Sequence, residues 1–175
     1  AIKLNLFASE IFVFTPKGEI KTMPAGCTAL DFAFQIHTFL GSHCIGAKVN
    51  HKLVPLSHKL KSGDQVEILT SQAQHVQPSW INFVTTAKAK SKIQAILNKE
   101  HREIQRQGDE TLRLWLEKNG LEYNHSVLDK ICELHDLQKH ESLLFALGDK
   151  SIILGSMELE ELKKNQPVEL NQYNV

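Results

Sequence analysis

The sequence predicts an α+β chain: a small mixed sheet with one helix packed across it, followed by an all-helical part. Three observations predict it. Residues 10–70 carry short β-branched and aromatic runs, Gly/Pro turns and a single amphipathic stretch. A polar segment ending in Pro78 follows. Beyond it, apolar residues recur at helical spacing with no further strand pattern.

Ile11-Phe12-Val13-Phe14-Thr15 reads as a strand by composition. Pro16-Lys17-Gly18 supplies a tight turn, and Glu19–Met23 alternates polar and apolar as the returning strand of a hairpin. Thr28-Ala29-Leu30-Asp31 is a capping-box signature; it opens a helix to about Leu40, where Gly41 stops it. On that helix Ala33, Ile36, His37 and Leu40 share a face, so His37 is expected to be a hydrogen-bonded core histidine against the sheet. Phe32 and Phe39 flank one side of that face, Leu30 and Phe34 the other. The arc is wider than one sheet requires, which assigns one flank to a second surface. Short strands at Cys44–Val49, Lys52–Val54 and Gln65–Leu69 complete a five-stranded sheet. Hairpin, helix, then three strands is the order of a β-grasp, or ubiquitin-like, arrangement.

Residues 71–78 read as a linker and 79–155 as a helical domain. Trp80, Phe83, Val84 and Ala87 share one helical face, whereas Ile93, Ile96 and Leu97 share another, rotated by roughly half a turn. That phase jump predicts a break near Thr85-Thr86. Further helices are expected at Asp109–Lys118, closed by Asn119-Gly120, at Ser126–Leu134 behind a Ser cap, and at Glu141–Leu147 before Gly148. Residues 1–9 are a leading segment, and 156–175 read as a polar, poorly ordered tail.

Hydrophobic residues make up 42% of the 175 and charged residues 23%, ordinary globular composition, and no apolar run is long enough to span a membrane. Ala1-Ile2-Lys3-Leu4 shows neither an initiator Met nor a signal pattern and reads as the edge of a larger protein. Cys27, Cys44 and Cys132 are an odd, widely spaced set, expected to be reduced thiols in a cytoplasm. Twenty basic and twenty acidic residues cancel, but unevenly. Residues 76–106 hold 6 Lys/Arg against 2 Asp/Glu, and residues 107–175 hold 7 against 13. A basic middle and an acidic end bear on partners more than the neutral mean does.

Several ordered motifs resemble one family. They are Val13-Phe14-Thr15-Pro16-Lys17-Gly18-Glu19, the run Ala29-Leu30-Asp31-Phe32-Ala33-Phe34 with Ile36-His37-Thr38, Gly46-Ala47-Lys48-Val49-Asn50, and Gly63-Asp64 with Val66-Glu67-Ile68-Leu69-Thr70. Together they resemble a TGS domain. Trp80, then Asn82-Phe83-Val84-Thr85-Thr86-Ala87-Lys88-Ala89-Lys90-Ser91-Lys92-Ile93, resembles the start of the helical domain that follows TGS in the RelA/SpoT stringent-response enzymes. The resemblance implies a regulatory fragment of a (p)ppGpp synthetase/hydrolase, without its catalytic domains. It implies a TGS contact to the 3′ CCA end of deacylated tRNA on the ribosome, or binding to proteins such as acyl carrier protein or the parent's own catalytic domains.

His43 lies in the loop Gly41-Ser42-His43-Cys44-Ile45-Gly46, where an imidazole can stack on an unpaired base or bond its edge. The alternative is a solvated loop histidine. Many relatives place a His directly after the Gly, a position held here by Ser42, so the expected 3′-end contact falls on Ser42 by position and on His43 by residue type. Lys88, Lys92 and Lys99 fall within about 40° of one another on a helix. With only Glu100 and Glu103 nearby, they can track a phosphate backbone; the alternative is a solvated helix face.

His51 and His58 are expected at the surface, and the nine histidines form no metal pattern. His135-Asp136 invites comparison with HD-type phosphohydrolases, but it sits alone at a helix end in an acidic stretch. No Gly-x-x-x-x-Gly-Lys-Ser/Thr loop or Gly-x-Ser-x-Gly elbow is present. The expectation is a chain with no catalysis, cofactor or metal of its own. Two binding functions remain open: tRNA and ribosome sensing, or protein binding.

Overall fold

The computed structural model describes residues 10–164; the expected leading segment 1–9 lies outside the described residues. The chain divides into two compact units between Asn98 and Lys99.

In the first unit, β1 (Glu10–Phe14) and β2 (Ile20–Pro24) form an antiparallel hairpin. β3 (Cys44–Val49) pairs antiparallel with β4 (Lys52–Val54) on one side and β5 (Val66–Thr70) on the other. All five expected strands are present, but they form two ladders instead of one continuous sheet. Among the described residues the ladders meet at a parallel bridge between Phe14 and Gln65, flanked by the Phe14 N–H to Asp64 carbonyl bond at 2.8 Å and the Gly63 N–H to Phe12 carbonyl bond at 2.7 Å. The Lys61–Asp64 turn occupies the stretch where further ladder bonds would form.

The expected single helix is two. α1 (Ala29–Ile36) starts with the capping box: Thr28 Oγ1 accepts from the Asp31 N–H, and the Asp31 carboxylate accepts from the Thr28 N–H. It ends at His37, whose backbone is extended (φ −162°, ψ 141°). A short turn of helix, α2 (Thr38–Ser42), then restarts with His37 as its cap: His37 Nδ1 accepts from the Phe39 N–H at 3.0 Å. His37 is therefore exposed, and the core-histidine expectation is corrected. The periodicity count assumed unbroken helical backbone through residue 37.

α1 is buried on two sides. Ala29 and Phe32 join Ile11, Val13, Met23, Ala47, Val49 and Val66 in a core beneath the strands. Leu30, Ala33 and Phe34 join Cys44, Val76, Trp80, Val84, Ala89 and Ile93 in a second core. The wide apolar arc is thus explained by the Leu30/Phe34 flank, which packs on residues that follow the strands. Burying a side chain such as Phe34 contributes roughly 1.5–3 kcal/mol. Gly41 lets the chain cross Phe34 closely, since a Cβ there would sit 2.3 Å from the phenyl ring.

After β5, Pro78–Asn82 form a single 3₁₀ turn where a short α-helix was expected. The break at Thr85-Thr86 is present, and α3 begins at Ala87. α3 runs unbroken to Lys118, 32 residues, so no separate helix starts at Asp109. Gly108, inside this helix, is a crossing point.

In the second unit, α4 (His125–Leu134) is capped by the Asn124 side chain accepting from the Val127 N–H, in place of the expected Ser126. α5 spans His140–Gly148. α6 (Ser156–Lys164) occupies the start of the expected tail; it is ordered, with Glu158 and Leu162 buried, and residues 165–175 lie outside the described residues. Leu112, Leu116, Leu128, Ile131, Leu143, Leu147 and Leu162 form the core here. α3 and α5 cross backbone to backbone. A Cβ on Gly108 would lie 1.7 Å from the Leu144 carbonyl oxygen, and one on Gly148 would lie 1.9 Å from that of Ile104. No described helix is long and apolar enough to cross a membrane.

Candidate functional site

The loop singled out by the sequence begins where α2 ends. His43 is the last-turn cap of α2, and the next residue starts β3. Its ring stacks on the ring of Phe39, one helical turn earlier, with centroids 4.1 Å apart and planes at 26°. Its Nδ1 lies 3.0 Å from both the Phe39 carbonyl oxygen and Ser42 Oγ. Ser42 Oγ also donates to that carbonyl at 3.1 Å. Ser42 and His43 are thus one hydrogen-bonded unit, both half-buried, and no described residue bonds His43 Nε2. Phe39 was not among the expected site residues, although it is 43% exposed and forms the platform under the imidazole. Its i−4 spacing from His43 is the signal that could have found it.

Lys88 and Lys92 lie exposed on the first turns of α3, and no ion pair engages either one among the described residues. α3 has no acidic residue of its own in its first turn, but the Asp31 carboxylate already sits at that helix end, so the lysines are what supplies positive charge there. Lys99, also exposed and without an ion pair among the described residues, belongs to the second unit. Farther along the helix, Arg106 is held by Glu103 at 2.8 Å and Glu110 at 3.4 Å.

The start of α3 is fixed by Asp31. Its buried carboxylate accepts from the Thr85 N–H at 3.0 Å and hydroxyl at 2.9 Å, and from the Thr86 N–H at 3.1 Å and hydroxyl at 3.0 Å. It accepts from the Thr28 N–H and hydroxyl as well. Burial opposes its ionisation, but the donated backbone and hydroxyl bonds outweigh burial and hold the carboxyl below its ordinary range. One carboxylate therefore serves the N-terminal ends of both α1 and α3.

The remaining candidates are structural. His51 is exposed, whereas His58 is half-buried beside the Ala29 N–H, which bonds its carbonyl. His135 Nε2 lies 3.0 Å from the buried carboxylate of Glu158, tying α4 to α6, and Asp136 occupies a left-handed turn (φ 55°). No cluster of three or more metal-ligating side chains occurs among the described residues. Cys27 and Cys44 are buried thiols, each pushed up to about 11 chiefly by burial, and Cys132 is raised for the same reason.

The TGS domain family matches residues 11–70. The chain is 43% identical over 152 residues to the guanosine-3′,5′-bis(diphosphate) 3′-pyrophosphohydrolase of Aquifex aeolicus, covering 86% of this chain and 22% of that protein. It is 48% identical over 102 residues to the GTP pyrophosphokinase of Myxococcus xanthus, covering 58% of this chain and 14% of that one. Against the bifunctional (p)ppGpp synthase/hydrolase RelA of Mycobacterium tuberculosis the identity is 48% over 105 residues, 59% of this chain and 14% of the relative. The chain thus spans about a fifth or less of the length of these relatives.

Proposed function

This chain carries a TGS domain and belongs with the RelA/SpoT family of (p)ppGpp synthetases and hydrolases, and on that premise we propose that it is a non-catalytic, regulatory segment sensing deacylated tRNA on the ribosome in the cytoplasm. In this reading His43, with Ser42 beside it, meets the unpaired 3′ end of the tRNA. Lys88, Lys92 and Lys99 meet phosphates. The (p)ppGpp chemistry belongs to other domains of a longer protein.

The observation that carries the reading is the His43 ring. It is backed by an exposed aromatic ring, fixed at one nitrogen and without a described partner at the other. A flat, pre-oriented ring of this kind suits an unstacked base or a nucleotide edge. Lys88, Lys92 and Lys99 support it, exposed on α3 and without an ion pair among the described residues, since such cations attract phosphates.

A second reading has its own support. Ile45 and Leu53 are 51% and 74% exposed and line a shallow groove of about 410 Å³ with Gly46, Val54, Pro55 and Leu69. Such a groove suits a protein surface, such as acyl carrier protein or the catalytic domains of the parent. Binding of this chain to deacylated tRNA, measured across a salt series, separates the two. Tight binding with a steep salt slope that needs an intact 3′ end supports tRNA sensing. Salt-insensitive, 3′-end-independent behaviour, together with loss of a protein complex in Leu53→Asp, favours the protein partner.

A further inference from the structure

We infer that Phe39 and Ser42 set the tautomer of His43, so that it reads its ligand as a hydrogen-bond acceptor through Nε2. This rests on the nucleic-acid reading above and specifies what the ligand must offer: an N–H or O–H donor at an unpaired nucleotide.

The geometry leaves little choice. A backbone carbonyl has no proton to give, so the 3.0 Å approach of His43 Nδ1 to the Phe39 oxygen requires the hydrogen on Nδ1. Were Nδ1 the bare nitrogen, two lone pairs would face each other at that distance. The Ser42 hydroxyl has one hydrogen and gives it to the same carbonyl at 3.1 Å, which leaves its lone pairs toward Nδ1 at 3.0 Å. The carbonyl therefore demands Nδ1–H, and the Ser42 hydroxyl, its own hydrogen committed to that carbonyl, accepts from Nδ1 as well. In the neutral imidazole the other nitrogen must then be the acceptor. Stacking on Phe39 fixes the ring plane, so the direction of that lone pair is fixed as well. A terminal ribose hydroxyl or an exocyclic base amine supplies such a donor. A ligand offering only acceptors there would face the Nε2 lone pair and be rejected.

The test uses the whole chain labelled with ¹⁵N and a short single-stranded RNA with an unpaired 3′-terminal adenosine. A long-range ¹H–¹⁵N spectrum of the free chain is expected to show His43 with the proton on Nδ1, and Ser42→Ala to shift part of the population to the other tautomer while Ser42→Thr restores it. A proton on Nε2 in the wild type overturns the inference. His43→Gln, which can place an oxygen near the Nε2 position, is expected to keep most of the affinity; His43→Asn, which reaches only the Nδ1 position, is expected to lose about 3–10-fold. Equal affinity for both variants and wild type overturns the nucleic-acid reading itself, as does the absence of saturable RNA binding. RNA ending in a 2′,3′-dideoxy sugar and RNA ending in purine without the 6-amino group identify the donor. The arm in which His43→Asn no longer costs affinity has lost it, and persistence of the cost in both arms overturns the acceptor role.

Discussion

Asp31 and Thr85 are 54 residues apart, yet the carboxylate of the first takes both the backbone N–H and the hydroxyl of the second. Removing the charge should therefore cost more than a helix cap. Asp31→Asn keeps the shape but turns two acceptor sites into N–H donors that face the donors of Thr28, Thr85 and Thr86. The expected loss is about 2–4 kcal/mol by urea unfolding of the chain. A loss no larger than a lone cap, about 1 kcal/mol, would mean that the Thr85 and Thr86 bonds contribute nothing net.

The same carboxylate predicts a pH dependence. Its folded pKa lies below the unfolded value of about 3.9, so its contribution is fully present above that value and lost as pH falls through the folded one. Wild-type stability should drop as pH falls below about 4, and part of that drop should be missing in Asp31→Asn. Denaturation midpoints of the two proteins at matched pH values give the difference, which should narrow on acidification.

Gly108→Ala should destabilise, against its helix propensity. In an open helix the change would stabilise by about 1 kcal/mol. Here the new methyl would lie 1.7 Å from the Leu144 carbonyl oxygen, which is backbone and cannot swing aside. A net loss of at least about 2 kcal/mol is expected on thermal or urea unfolding. A neutral or stabilised variant would show that α3 and α5 separate readily.

Lys88, Lys92 and Lys99 replaced together by Ala should weaken tRNA binding without regard to sequence. The slope of log affinity against log salt should flatten by roughly 0.7–0.9 for each lysine that touches phosphate. His43→Ala should leave that slope alone and reduce discrimination between intact and 3′-truncated tRNA, by about 1–3 kcal/mol if a stacked base is lost. Wild-type affinity and slope in the triple variant would make the lysines an ordinary solvated face.

Cys27 and Cys44 should resist alkylation. With both pushed up to about 11, the thiolate fraction at pH 8 is roughly one in a thousand, and both side chains are fully buried. Mass spectrometry after iodoacetamide treatment should find them unmodified in the folded chain and fully modified in denaturant. Rapid labelling under native conditions would reveal local opening around β3.

What could be read in advance follows the range over which the chemistry acts. The capping box at Thr28 and Asp31 is four residues long and could be read directly. The break at Thr85-Thr86 appeared as a phase jump in the apolar residues. The cause of that break did not, because Asp31 acts across 54 positions. His37 was placed in the core because a helical count cannot see one extended residue whose imidazole replaces the missing cap. The expected helix start at Asp109 lies inside α3, and the reason for the glycine before it, Gly108, lies on α5. At the candidate site, His43 and Ser42 were visible as residue types. The Phe39 carbonyl that orients them was not, since a backbone oxygen carries no sequence signature.

The two-sided burial of α1 also determines what can be transplanted. A piece cut after Thr70 would carry the matched stretch 11–70 whole. It would nonetheless strip Leu30 and Phe34 of Val76, Trp80, Val84 and Ile93, and leave Asp31 with the donors of Thr28 alone. Such a piece would expose a greasy helix flank and a poorly solvated charge, and it would tend to clump. The stretch matched by the TGS family is thus shorter than the unit that folds. A graft or chimera that respects the second should carry the chain through Ile93, the end of the second turn of α3.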